Sequence, residues 1–153
     1  MTGKTLLALA LLPIATPCLA QNVSADAAKL VTVLQVAGYQ ADLSKDSTGD
    51  PMINSSTSGS KFVVLFYNCT NHADCTTIQF QTAWAMKVKP TLTSMNEWNR
   101  KHRFARAYID DEGDPGIMMD VNLDKGGMSP ELFRDNLGVW FSIVDMFKKQ
   151  IGQ

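Results

Sequence analysis

The chain has 153 residues, 45% of them hydrophobic and 19% charged, with a formal charge of −1. Such a composition excludes a disordered tail or a fibrous repeat, and the length suits one globular domain. A slightly acidic chain offers no attraction to a polyanion, so nucleic acid is not an expected partner.

The first twenty residues read as a segment apart from the fold. Lys4 gives a positive start, "TLLALALLPIA" is a short apolar run, and "TPCLA" ends it with small residues. The pattern predicts a secretory signal peptide over 1–20, cleaved between Ala20 and Gln21, with 21–153 as a single domain. The apolar run is shorter than the ~20 residues that span a bilayer, so no stable membrane anchor is expected after cleavage. Cys18 follows Pro17, not the small residue that normally precedes a lipidated cysteine. The expected location is periplasmic or secreted, in a bacterial host.

Ser24 is placed to cap a first helix, with Ala27, Leu30, Val31, Leu34 and Ala37 at helical spacing and Gly38 at its end. Residues 42–60 are rich in Ser, Thr, Gly, Asp and Pro, and only "PMIN" suggests a short strand. "KFVVLFY" (61–67) and "TTIQFQTAW" (76–84) read as an antiparallel hairpin. Pro90 precedes a helix at 93–102, where Ser94 and Glu97 have capping-box spacing and Arg100, Lys101, His102 and Arg103 form a basic, solvated end. "RFARAYID" and "GIMMDVNL" flank "DEGDP" as a second hairpin, with Ile117, Met119, Val121 and Leu123 on one face. Ser129 and Pro130 then open a long helix running to Gln150. Its stripe of Phe133, Leu137, Trp140, Val144, Phe147 and Ile151 is widened by Leu132, Val139, Ile143 and Met146, more than one sheet face requires. The pattern predicts an α+β fold: an antiparallel sheet of about five strands in the order α-β-β-β-α-β-β-α, without internal repeat.

The two cysteines beyond the signal, Cys69 and Cys75, stand six positions apart with His72 between them. If they face each other across the hairpin, opposed residues have numbers summing to 144, as in Phe66 with Ile78 and Val64 with Phe80. One face is then apolar, and the other, with Tyr67, Gln79 and Gln81, is partly polar and shares the cysteines' side. An exported chain meets an oxidising compartment, so a Cys69–Cys75 disulfide is the leading reading. Two alternatives stay open: a metal held by Cys69, His72 and Cys75, which lacks the usual second ligand pair, and a catalytic dithiol, which more often has two intervening residues.

Asp110, Asp111, Glu112 and Asp114 resemble a cation loop until counted from Asp110, when Pro115 falls where glycine and Val121 where a bidentate glutamate is required. A charged hairpin turn is the simpler reading. "SGSK" (58–61) and "GKT" (3–5) lack the companion features of the motifs they mimic. No metal, cofactor or catalytic residue is expected.

Residues 96–127 resemble the YbjN family, described as bacterial sensory transduction regulators, through Asn96, Trp98, Asn99, Arg103, Phe104, Tyr108, Asp110, Gly113, Asp120, Gly126 and Gly127. With the "F-x-V-x-F" strand and the closing helix, the likeness covers most of residues 24–150. It implies a fold similar to type III secretion chaperones, often dimeric, with no established enzymatic activity. The expected function is therefore a non-enzymatic, chaperone-like or regulatory module that binds an unknown protein or peptide, with a possible homodimer. Trp98, Asn99, Tyr108, Trp140 and Phe147 are candidate partner-binding residues. The alternative is a small secreted enzyme using the Cys69/His72/Cys75 loop or the acidic turn at 110–114.

Overall fold

The computed structural model describes residues 21–57 and 59–153. The predicted signal segment, including Ala20, lies outside the described residues. Val23 exchanges two backbone hydrogen bonds with Met128, at 2.8 and 3.0 Å. This bridge fixes Val23 ahead of the helix, and the capping role passes from Ser24 to Asp26, whose carboxylate accepts from the Lys29 N–H at 3.1 Å. Helix α1 (Ala27–Val36) buries Leu30 and Leu34, and Gly38, at φ +89°, turns the chain out of it.

The polar stretch expected to hold one short strand holds two, β1 (Gln40–Lys45) and β2 (Pro51–Thr57). In β1 only Ala41 is buried and Leu43 is exposed, because it is an edge strand with a single neighbour. An edge strand needs no alternation of apolar residues, so its sequence carries no strand signal. Strands β3 (Ser60–Tyr67) and β4 (Thr77–Ala83) pair in the register that facing cysteines imply, from Val63 opposite Gln81 to Tyr67 opposite Thr77. Their apolar face, Phe62, Val64, Phe66, Ile78 and Phe80, is buried.

Helix α2 (Leu92–Lys101) is capped one turn earlier than the Ser94–Glu97 pair suggests. Thr91 Oγ1 accepts from the Ser94 N–H at 3.1 Å, and the Ser94 hydroxyl donates back to the Thr91 carbonyl at 2.7 Å. Strands β5 (Arg106–Ile109) and β6 (Pro115–Asn122) follow as a hairpin, and α3 (Pro130–Ile151) closes the chain. Ser129 caps α3 through the Leu132 N–H at 3.2 Å, Pro130 fills its first turn, and Gly152 ends it in the left-handed conformation.

The sheet has six strands, one more than expected, in the order β1-β2-β3-β4-β6-β5, every pair antiparallel. The helices and the apolar core share one face. At its centre Trp140 lies 6.1 Å from Phe62 of β3 and 5.7 Å from Phe80 of β4.

A repeat not expected from the sequence organises this layout. "DSTGDP" (46–51) joins β1 to β2, and "DDEGDP" (110–115) joins β5 to β6. In each, the first aspartate N–H donates to the carbonyl of the second, 2.9 Å in both, and the glycine N–H donates back to the first, at 3.2 and 3.0 Å. Gly49 and Gly113 take φ of +93° and +82°, the bulge position of a three-residue hairpin loop. The first carboxylate accepts from backbone N–H groups two and four residues on, Thr48 and Asp50 in one turn and Glu112 and Asp114 in the other. Before each turn a helix-end amide donates to the following strand: Gln35 to the Ala41 carbonyl and Asn99 to the Ala107 carbonyl, both at 3.1 Å. The units α1-β1-β2 and α2-β5-β6 thus occupy equivalent places, and a half-turn about an axis between β3 and β4 exchanges them. Helix α3 lies across that axis.

Candidate functional site

The cysteine loop is architecture. Cys69 and Cys75 form a disulfide, with Cα atoms 3.8 Å apart. Within it Thr70 and Ala73 exchange backbone hydrogen bonds of 2.6 and 3.0 Å around Asn71 and His72, whose φ values of 52° and 58° belong to a two-residue hairpin turn. Asn68 and Asp74, at φ 54° and 48°, interrupt the strand alternation on either side. The cysteines consequently pack against the hydrophobic core, not on the Tyr67 face where unbroken strands would place them. His72 Nδ1 lies 2.7 Å from Asp50 Oδ1, and its ring rests on Gly49. The groups of the enzyme alternative are therefore occupied: both sulfurs in the crosslink, the imidazole in a contact with the first repeated turn.

The acidic turn is engaged in the same way. Asp110 binds its own loop backbone, and the buried carboxylate of Asp114 accepts from Lys89 Nζ at 2.5 Å and the Met86 N–H at 2.7 Å. The Lys89 hydrogen bond first, then the Met86 N–H, holds the Asp114 carboxyl below the ordinary aspartate range. In both repeats, then, the last aspartate fastens a neighbouring loop: Asp50 the disulfide loop, Asp114 the segment between β4 and α2. Among the described residues no group of three His, Cys, Asp or Glu side chains gathers as a metal site.

The five candidate partner-binding residues do not form one patch. Trp98, Trp140 and Phe147 are 2%, 0% and 0% exposed and belong to the core, where Phe147 meets the Trp98 ring at 4.9 Å. Trp98 was a candidate through the family resemblance, Trp140 and Phe147 because the α3 stripe is wide; that width is explained by two αββ units and the central strands, all of which α3 covers. Asn99 clamps β5, accepting from the Ala107 N–H at 2.6 Å while donating to the same residue's carbonyl. Tyr108 lies on the opposite layer, the uncovered sheet face, where its ring covers Gly116 and its hydroxyl accepts from Gln81 Nε2 at 2.7 Å. Burial pushes its pKa upward.

Two of the open depressions among the described residues adjoin the candidate region. On the uncovered sheet face Met52, Val63 and Leu65 border a shallow depression of about 520 Å³ that reaches Tyr108. Beside it Gln79 donates to Asp120 at 2.7 Å, and Arg106 donates to the other oxygen of that carboxylate at 2.6 Å. On the helical side a groove of about 640 Å³ runs between the end of α2 and α3, lined by Lys101, Arg103, Phe104, Asp135, Val139 and Met146. Phe104 is 66% exposed at φ 72°, with the Arg103 guanidinium 5.1 Å from its ring centre. Reading Arg100–Arg103 as a solvated helix end passed over Phe104; the signal was a large aromatic directly after four basic residues, at a step where the helix has already stopped.

The YbjN family model, "Putative bacterial sensory transduction regulator", matches residues 26–153. The chain belongs to this family. No curated protein and no solved structure matches it. Among the described residues no helix is long and apolar enough to cross a membrane.

Proposed function

We propose that this YbjN-family protein is a non-enzymatic, exported binding module that holds a protein or peptide segment and acts without a cofactor, in the periplasm or outside a bacterial cell. The family's regulatory description supports a binding role. The observation that carries the reading is the apolar groove beside α3, which presents Phe104 and Met146 to solvent at 66% and 42% exposure while Trp98, Trp140 and Phe147 nearby are buried. Large side chains left in the open around a concavity are the surface on which helix-in-groove or extended-peptide recognition is built. The signal-like start and the disulfide are consistent with export. A homodimer is compatible with the same surface.

Immobilised mature protein should retain a specific polypeptide from a periplasmic extract of the host, saturably and in competition with free protein. Sedimentation velocity would read the dimer. A strictly monomeric protein that retains nothing above a denatured control overturns the proposal.

A further inference from the structure

We infer that the groove between α2 and α3 recognises an acidic peptide segment through a bulky apolar side chain, with Phe104 as the recognition residue; this deepens the peptide-binding reading above and rests on it.

The first argument is conformational. The Ala105 N–H donates to the Arg103 carbonyl at 3.0 Å, so Phe104 stands at the centre of a three-residue turn, and its φ of 72° makes this the rare, strained hand of that turn. A bulky side chain at positive φ is a steric outlier, and such outliers cluster at binding sites. The fold does not demand it. In the equivalent unit the link from α1 to β1 also passes through positive φ, and there the residue is Gly38. Nor does burial compensate the strain, since two thirds of Phe104 faces solvent.

The second argument is charge. Lys101 and Arg103 stand on one lip of the groove, with Arg100 just before them in the last turn of α2, and the opposite wall contributes the single carboxylate of Asp135. Arg100 and Lys101 also complement the carbonyl end of α2, but Arg103 lies beyond the helix and, among the described residues, has no carboxylate within 4.0 Å. This is a basic, aromatic lip on a chain whose overall charge is negative. An acidic segment inserting an aliphatic or aromatic side chain between Phe104 and the α3 residues Val139 and Met146 satisfies both features. The concave shape favours such a segment over a flat lipid surface.

Panning a random peptide library displayed on phage against the full protein should enrich sequences that combine Asp or Glu with a large apolar residue. A fluorescent synthetic copy of the enriched peptide then reports binding to three proteins: wild type, Phe104→Asn and the double variant Lys101→Glu/Arg103→Glu. Asparagine tolerates positive φ, so Phe104→Asn should leave the melting temperature unchanged or raised while weakening the peptide ~10-fold or more, about 1.4 kcal/mol or more. The charge-reversal variant should weaken it comparably, and added salt should weaken wild-type binding. Enriched peptides that lack acidic residues, or that bind Phe104→Asn as well as wild type, overturn the groove assignment and leave the wider binding function standing. Cosedimentation with phosphatidylglycerol vesicles that is abolished by Phe104→Asn, with no peptide enriched, assigns the lip to a membrane and overturns it as well. Failure of both panning and polypeptide capture removes the binding function altogether.

Discussion

At the scale of single residues, adjacent glycines separate backbone strain from steric collision. Gly126 and Gly127 both have positive φ, +97° and +76°, but a side chain at 126 would enter open space while one at 127 would strike the Val23 carbonyl. That carbonyl is half of the bridge that holds the N-terminal segment to Met128. Gly126→Ala should cost about 1 kcal/mol from conformation alone, whereas Gly127→Ala should cost roughly 3 kcal/mol or more, because the bridge must also open. Urea unfolding curves with unchanged slope would report both. A further residue sets a pH dependence. The folded Asp114 carboxyl titrates below its unfolded value of 3.8, chiefly through Lys89, so its contribution is fully present above that pH and disappears as pH falls through the folded value. The stability difference between wild type and Asp114→Asn should therefore be constant near neutrality and shrink below about pH 4; a difference that grows on acidification would contradict the Lys89 contact. Little of this was legible in the sequence. Cap residues were displaced by tertiary contacts, Ser24 by the Val23–Met128 bridge and Ser94 by Thr91, because capping signals report local chemistry and not which neighbour already claims the backbone.

At the scale of elements, legibility follows burial. The parity of the β3–β4 pairing was readable, because one face is buried and a slip by one would expose it; the exact register, which a slip by two would change without exposing that face, is the one that facing cysteines imply. Helix α3 was readable from its cap to within a residue of its end, because its apolar period and its Ser129-Pro130 start agree; the Gly152 stop is added by the structure. Strand β1 was not, since an edge strand built from "QADLSK" shows no periodicity to find. The disulfide element supports a test of its own. Seven residues from Cys69 to Cys75 include three in left-handed conformations, Asn71, His72 and Asp74, and the crosslink removes the unfolded freedom that would otherwise oppose that shape. Replacing both cysteines with alanine should destabilise the protein by about 2 kcal/mol, the loop-closure value for a ring of this size, measured by denaturant unfolding. The fold should survive, since the sheet and core do not depend on the crosslink; loss of folding altogether would mean that the loop organises more than its own turn.

At the scale of the whole molecule, fold class and helix placement followed from hydrophobic periodicity and turn chemistry, but the two-fold layout did not. Its sequence trace is six residues long, because the repeated feature is backbone geometry that only Asp, Gly and Pro record, while the helices and strands around it differ in sequence. If the units are equivalent, their turns are interchangeable. The two loops differ only where Ser47 and Thr48 stand in one and Asp111 and Glu112 in the other. The four-residue exchange Ser47→Asp, Thr48→Glu, Asp111→Ser and Glu112→Thr preserves net charge, both glycines at positive φ, and both aspartates that fasten neighbouring loops. The Thr48 hydroxyl, which donates to Asp46 at 2.8 Å, would be lost from the first turn and regained against Asp110 in the second. The exchanged protein should unfold within about 0.5 kcal/mol of wild type, the scatter of neutral surface substitutions. Each single-turn half of the exchange should shift stability in opposite directions by the worth of that one hydroxyl hydrogen bond. A cost above about 2 kcal/mol for the full exchange would show that the two turns make different demands on their residues, and that the half-turn relating the units is a coincidence of strand order.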